Sequence, residues 1–533
     1  MLGGVVAVPA VAPAAPALAP RQVNWLLVGL GAATGMEFYT FDSVNLVLVD
    51  LTGTLGLSAD EASWILTVYS SALFIGVPVS IWLAGYIGYK RFLIASIVVY
   101  VLASIGCAQS PDLPAMLVAR SIQGASGAGL VVWWRATIYL ILPKAQRSPS
   151  LMRVSTILYL SSAVGLIVSG AIVDHFSWRL VFLPCIAYAG FAILLLMRHF
   201  PDRIPHPPAR AGYADWPGMI LIGLGLLALQ IVLSRGEIDD WFGSTHIQAL
   251  AWLAAVSLGL FVVWQASSRN PAPLLCLDLL ADRNVIAATV IGVCTGMILS
   301  GSLFVLPEFL RNVAGNTLSA TQTGAVVAVY PLTAAAIRPL MVGVIAKLGQ
   351  RKTICLALMA LISSMLLFNR HMTVGSPAST FYLPLMLYAV CLTALLPSVG
   401  SGTVGRIEQQ KLLDGVSLYM TFRQFGASVG VALLTILIAR RETLHSSRLY
   451  EHLQANAPAT AHWLAQVGAI LAGRGGRDTA DASAVATKLL AEVGERQVTA
   501  LAYADAFLFM TVVGFVALLL VPLIPATPVA VKK

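Results

Sequence analysis

Fourteen apolar runs of about 18–27 residues fill most of this 533-residue chain. Each is long enough to cross the roughly 30 Å hydrocarbon core of a bilayer as a helix. None shows strand-like alternation, and lipid offers no partner to an open sheet edge, so helices are the spanning form that remains. The runs lie near 24–49, 62–86, 92–110, 113–142, 151–173, 179–198, 216–234, 246–266, 285–310, 320–346, 352–370, 379–403, 415–440 and 502–525. Breaks such as Gly88-Tyr89-Lys90-Arg91, Pro143-Lys144, Pro201 to Pro208 and Asn270-Pro271 separate them. Only 11% of residues are charged and 58% are apolar, whereas soluble domains are about a quarter charged. The class is an all-α polytopic membrane protein in a lipid bilayer.

Charge gives the topology. With residue 24 on the cytoplasmic side, alternation puts eighteen lysines and arginines in the inner connections and tails. Four (Arg179, Arg235, Arg311 and Arg370) fall in the short outer connections. This bias predicts an even number of spans and two cytoplasmic termini. The net charge of +9 therefore marks topology, and no nucleic-acid partner is expected. The six cysteines are scattered within or beside spans, without metal-ligand spacing, and no metal site is expected.

Residues 1–23 read as a disordered cytoplasmic tail, because their Ala/Pro/Val run has no basic region before it. A second cytoplasmic tail covers 526–533. One connection is unlike the rest: residues 441–501 are polar, and alternation places them outside the membrane. They form either a solvated extracytoplasmic loop with one or two short helices or a docking surface for a partner. Val485 to Val498 carries a helical period there.

No GxxxxGK[ST] loop is present, and the glycine-rich runs lie inside spans, where they pack helices. Energy is then expected from an ion or substrate gradient, which is the physics of a secondary transporter without a cofactor.

Ionisable residues within spans are few, and each is costly: a charge at mid-membrane costs roughly 2.5–3.5 kcal/mol on insertion scales. The fourth span carries Arg120 and Arg135, with Arg120 beside the small residues Gly124 and Gly127. Small residues at this spacing let another backbone approach closely. The first span carries Glu37 and Asp42 between apolar stretches. Removal from water disfavours a charged carboxylate, so either residue can load and release a proton near neutral pH. Each can equally form a structural pair with Arg120 or Arg135. They lie about 140° apart around a helix, so only one is expected to face a cavity. Arg135 follows Trp133 and Trp134 and either snorkels through an aromatic belt or forms a cation–π cavity wall. Arg338 follows Pro331 and precedes Pro339 in a proline-broken span, a place for a gate or binding contact. Arg179, Glu308 and Asp505 lie near span ends and read as interfacial and solvated.

Several motifs together carry a resemblance. They are Trp64 to Tyr69, Arg120-Ser121-Ile122-Gln123-Gly124 to Gly129, Ser177-Trp178-Arg179 with Phe182, Asp215-Trp216-Pro217-Gly218, Arg423-Gln424-Phe425-Gly426 to Gly430, and Ala502 to Phe507. With these, the chain from about 35 to 525 resembles the major facilitator superfamily, and within it the fourteen-helix drug:proton antiporters of the EmrB/QacA type. The resemblance implies a major facilitator fold. Two six-helix bundles, 24–200 and 285–525, flank two inserted transmembrane helices in 215–268.

Its implied function is proton-coupled efflux of amphipathic small molecules by alternating access, across a bacterial cytoplasmic (inner) membrane and not as an enzyme. A periplasmic adaptor and an outer-membrane channel are permitted partners. The alternatives are a proton-coupled importer of a specific solute and a non-transporting membrane sensor or assembly partner. Arg120 with Glu37 or Asp42 would couple the proton. Gln123, Trp134, Arg135, Arg338 and Arg423 are candidates for the substrate cavity or gates. Gly124, Gly127, Gly165 and Gly170, together with Gln123, would set helix packing.

The chain also departs from the family pattern. The family's first-span Asp falls on Thr40, so its role passes to Glu37 or Asp42. The loop after the second span, Ile81 to Lys90, lacks the usual Asp and Arg. The fifth-span motif, Gly165 to Gly170, lacks its proline.

Overall fold

The computed structural model describes residues 19–201, 215–236, 239–271, 273–313, 318–404, 412–452, 458–475 and 479–524. Every described element is helical. The first six long helices are α1 (Pro20–Leu55), α2 (Ala59–Ile87), α3 (Tyr89–Gln109), α4 (Leu113–Ile141), α5 (Lys144–His175) and α6 (Pro184–His199). Two follow as a pair, α7 (Trp216–Arg235) and α8 (Thr245–Ala266). The rest are α9 (Arg283–Asn312), α10 (Ala320–Val327), α11 (Val329–Leu348), α12 (Gln350–His371), α13 (Tyr382–Val404), α14 (Leu412–His452), α15 (Pro458–Gly475) and α16 (Thr479–Leu519).

Local chemistry sets the boundaries. Ser58 and Glu61 cap the start of α2 reciprocally, and the Asp112 carboxylate accepts from Ala115 N at 3.0 Å to start α4. Gly88 (φ 96°) and Gly349 (φ 75°) take left-handed backbone between α2 and α3 and between α11 and α12. The same turn thus recurs at matching points of the two bundles, as expected of related halves.

Each of the fourteen expected spans coincides with a helix or with two consecutive ones. Twelve described segments are long and apolar enough to cross a membrane by length and composition. The other two runs are α1, 36 residues long but interrupted by Glu37, Thr40, Asp42 and Asn45, and α2, whose apolar stretch is Glu61–Val77. The tenth span is broken between α10 and α11, because Pro331 has no N–H and its ring crowds the carbonyl four residues back at Val327.

The tail reading needs correction, and the polar connection is more helical than expected. Helix α1 starts at Pro20, so residues 20–23 are helical and not tail; residues 1–18 and 525–533 lie outside the described residues. In the 441–501 connection the helical period over Val485 to Val498 is borne out within α16, and the other described residues there are helical as well. Helix α14 continues to His452, α15 occupies Pro458–Gly475, and α16 is already helical from Thr479. At 41 residues α14 is about 60 Å long, twice the hydrocarbon thickness, so it projects well beyond a bilayer.

Packing builds two bundles. In the first, α1 lies along α5 and α2 along α4; in the second, α9 lies along α14 and α12 along α13 and α16. The bundles meet where α5 touches α10 and α11 and where α2 touches α14. The pair α7–α8 rests on α2 and α14, with Ile222, Leu226 and Phe261 joining Phe74 and Leu418 in one apolar cluster. The turn that starts this pair is a knot on Asp215. Its buried carboxylate accepts from Gly218 N (2.9 Å), Trp264 Nε1 (2.6 Å), Gln265 Nε2 (2.6 Å) and Asn270 Nδ2 (2.9 Å). Burial pushes this carboxyl up, but the hydrogen bonds from Gln265, Trp264, Asn270 and Gly218 outweigh it and hold it below the usual aspartate range.

Candidate functional site

The small residues of α4 and α5 fix where the polar groups sit. A side chain at Gly124 would strike the Tyr69 carbonyl of α2, and one at Gly127 would meet Tyr100 and the Tyr69 hydroxyl. One at Gly165 would meet the Tyr39 carbonyl of α1, and one at Gly170 the Ala320 carbonyl of α10. All four expected packing glycines therefore sit at close helix contacts, and the first pair brings the α2 backbone down onto Arg120.

Arg120 is fully buried. Its Nη1 donates to Gln123 Oε1 (2.5 Å) and its Nε to the Ile65 carbonyl (3.3 Å). Its guanidinium lies 4.2 Å from the Tyr69 ring centre. Gln123 Nε2 passes the chain on to Ser104 Oγ at 2.7 Å. The Tyr69 hydroxyl donates to Glu37 Oε1 at 3.0 Å. Arg120 thus reaches Glu37 through a tyrosine; among the described residues it forms no ion pair.

Asp42 is held differently. Ser162 Oγ of α5 and Tyr330 Oη of α11 both donate to its Oδ2, the tyrosine at 2.8 Å. Tyr330 belongs to the second bundle, so the Asp42 carboxylate joins the two halves.

Both carboxylates line one cavity of about 140 Å³ between the bundles. This corrects the expectation that only one would. The cavity wraps α1 because that helix has both bundles as neighbours: Glu37 points towards α2 and α4, Asp42 towards α5 and α11. Arg135 and Arg423 also line it, from α4 and α14. The Arg135 guanidinium stacks 4.3 Å from the Trp134 ring centre, so the cation–π wall is the arrangement found. Trp134 itself is buried behind that wall and does not line the cavity. Gln123 and Arg338 do not line it either. Gln123 is consumed by the Arg120 network, and Arg338 is buried with its Nη1 on the Thr393 carbonyl at 2.7 Å, tying α11 to α13. Thr40, where the family pattern has an acid, faces the Cys185 sulfur (3.0 Å) inside the first bundle.

Charges near the span ends are less solvated than expected. Glu308 is half-buried and lines a second cavity of about 420 Å³ with Glu442 and Tyr503. Asp505 pairs with His445 (2.8 Å) and Arg441 (3.5 Å), and Arg179 donates to the Ala108 and Ser110 carbonyls (3.2 and 2.7 Å). At the same end of α1, Asp50 forms an ion pair with Arg311 of α9, and Asp174 of α5 accepts from Ala320 N (3.0 Å) and Thr321 N (2.8 Å) of α10. These contacts clamp the bundles together there. Sequence reasoning missed Tyr69, Ser162 and Tyr330; the signal available was a neutral hydroxyl inside a span, with Tyr330 directly preceding Pro331.

Residues 30–280 match the Major Facilitator Superfamily. The chain is 27% identical over 427 residues to the probable multidrug resistance protein EmrY of Escherichia coli K12, covering 79% of this chain and 81% of that one. It is 25% identical over 451 residues to the multidrug export protein EmrB of Haemophilus influenzae, covering 83% and 86%. Its fold matches that of the human organic anion transporter MFSD10 with a TM-score of 0.57 at 13% identity, covering 93% of this chain and 100% of that one. A likeness that remote speaks to the fold alone. Over residues 30–280, and in its paired bundles, the chain is thus similar to the Major Facilitator Superfamily, and over most of its length it is similar to multidrug export and resistance proteins of the EmrB and EmrY kind.

Proposed function

We propose that this protein is a secondary active transporter that exports amphipathic small molecules, driven by the proton gradient, through alternating access of the cavity between its bundles. The observation that carries the reading is Asp42, an acid in that cavity whose carboxylate accepts hydrogen bonds from its own bundle (Ser162) and from the opposite one (Tyr330). Hydrogen bonds to an ionised acceptor are about twice as strong as neutral ones, so a proton on Asp42 weakens the tie to α11. The bundles then part more readily on that side. Glu37 is the second proton carrier, with Tyr69 linking its state to Arg120. No cofactor enters this cycle. Relatives named as multidrug export and resistance proteins support the direction of transport and the substrate class.

We place it in a bacterial inner membrane, in keeping with its bacterial relatives, with no enzymatic role; both termini are set in the cytoplasm by the lysine and arginine bias of the connections. In this reading the helices over 441–501 project outside and offer a periplasmic adaptor, and through it an outer-membrane channel, a place to dock.

The test is flux of a panel of amphipathic dyes in proteoliposomes with an imposed pH gradient. Native protein is expected to accelerate with the gradient. Glu37→Gln and Asp42→Asn are each expected to lose about 5–150-fold of that acceleration, the usual range of a coupling energy. Undiminished gradient-driven flux in both variants would remove the two carboxylates from the mechanism.

A further inference from the structure

The central cavity contains two acids and two bases, but their hydrogen-bonding states differ. Both acids are already supplied with donors: Glu37 takes the Tyr69 hydroxyl, and Asp42 takes those of Ser162 and Tyr330. The bases have no comparable acceptors. Arg135 has Trp134 beneath it and a contact to the Met420 sulfur at 3.9 Å. Among the described residues, the Arg423 guanidinium makes neither a hydrogen bond nor an ion pair. A guanidinium carries five N–H donors in a planar fork that matches an oxyanion, and leaving such donors without acceptors away from bulk water is costly. The cavity's open valence is therefore for an acceptor. The two guanidiniums come one from each bundle, while Phe38, Phe41, Leu299 and Leu303 give the rest of the wall an apolar face.

We infer that the cavity's ligand is an amphipathic anion, its oxyanion head set between Arg135 and Arg423 and its apolar body lying against Phe38, Phe41, Leu299 and Leu303. The inference rests on the reading of this cavity as the substrate's place. A head bound to both guanidiniums touches both bundles at once, so occupancy and the spacing of the bundles are linked. Trp134 fixes the plane of Arg135 from behind. The Arg423 carbonyl, pressed against Gly296, fixes the base of the other arm.

The test compares three matched ligands by calorimetry on native protein in nanodiscs: 2-naphthoate, 2-naphthalenemethanol and 2-naphthylmethylammonium. Naphthoate is expected to bind about tenfold or more tightly than either of the others, the size of one good charge-assisted contact. Arg135→Gln and Arg423→Gln are each expected to bring naphthoate down to the alcohol's affinity while weakening the alcohol far less, with Arg423→Lys between. Equal or tighter binding of the ammonium or the alcohol overturns the inference, as does the absence of saturable naphthoate binding. These comparisons need only native protein, so a variant that fails to fold does not rescue the idea. Naphthoate affinity unchanged in both glutamine variants overturns it as well. Flux separates this inference from the exporter reading: selective naphthoate binding without gradient-driven transport sinks export and keeps the anion site. Gradient-driven transport of cations alone does the reverse.

Discussion

Two long seams hold this molecule, and they differ in material: the first adds hydrogen bonds to glycine contacts such as Gly165 on the Tyr39 carbonyl, and the second rests on glycines. Along the α1–α5 seam of the first bundle, hydroxyls and charges meet. Ser169 donates to Ser43 Oγ (2.7 Å), Arg153 to Asn24 Oδ1 (2.7 Å), and Ser162 to Asp42. Along the α9–α14 seam of the second bundle, glycines lie against backbone. A side chain at Gly296 would run into the Arg423 carbonyl, one at Gly426 into the Val293 carbonyl, and one at Gly430 into Met297. A hydrogen-bonded seam can change with a proton, whereas glycine against carbonyl has nothing to titrate. The acids of the central cavity thus lie in the first bundle, while the second, whose own acids Glu308 and Glu442 line a separate cavity, gives Arg423 a base fixed by glycine contacts.

The largest expected effect comes from breaking the second seam. Leucine at Gly426 has to displace the Val293 backbone, and overpacking of this kind costs about 1–3 kcal/mol even where flexible side chains give way. With backbone on the other side, Gly426→Leu is expected to yield no folded protein by size-exclusion in detergent. Gly165→Ala, the milder insertion in the polar seam, is expected to fold with a lowered Tm. A well-folded Gly426→Leu would show that the second seam is not stiff.

Next in size is Arg120. Its loss strands Gln123 and the Ile65 carbonyl and opens a void under the Tyr69 ring. We expect Arg120→Ala to cost about 3–5 kcal/mol, as for a buried network broken on one side. Gradient-driven flux should go with it, because Tyr69 then holds Glu37 without its backing. Arg120→Lys is expected to recover part of the stability but little of the coupling, since a compact ammonium lacks the planar fork that stacks on the Tyr69 ring while donating to Gln123 and the Ile65 carbonyl. Full gradient-driven flux in Arg120→Ala would detach the network from coupling and leave it a packing device.

Ser169→Ala is a smaller probe of the polar seam itself. It removes one donor to Ser43, so about 1 kcal/mol of stability is expected to be lost, read as a modest fall in Tm. Val293→Ala on the other seam removes side chain but leaves the glycine–carbonyl contact. A Ser169→Ala variant as stable as native would mean that the α1–α5 hydroxyls are replaceable by water.

How much of this was legible beforehand differs between the seams. The spans were legible because a bilayer demands about 20 apolar residues per crossing, and so was the costly Arg120 among small residues. Gly124 and Gly127 were legible from their spacing beside Arg120, and Gly165 and Gly170 from the family pattern. What stayed hidden was which neutral groups seal each acid. Ser162 and Tyr330 lie 120 and 288 residues from Asp42, and a hydroxyl in an apolar run looks like any other. In 441–501 the helix over Val485 to Val498 was legible from its period, but its extent was not: polarity reads as loop, yet α14 and α16 enter the connection as continuations of spans already formed. Glu37 and Asp42 were both expected to matter, but angular separation on one helix does not say how far a cavity wraps round it.

The smallest expected effect lies outside both seams, at the Asp215 knot that starts the inserted pair. Its folded carboxyl sits below the usual aspartate range, so its contribution to stability is complete above the ordinary aspartate value of about 4 and is lost as pH falls through the lower folded value. Asn at this position keeps one oxygen acceptor but cannot serve Trp264, Gln265 and Asn270 together. Asp215→Asn is therefore expected to lower Tm by about 2 °C at pH 7, and the gap to native should close as pH is taken from about 5 towards 3. Neither seam contributes to that gap, because the substitution leaves α1, α5, α9 and α14 untouched. A gap that stays constant over the whole range would mean that the knot is held by shape alone and that the carboxylate's charge adds nothing.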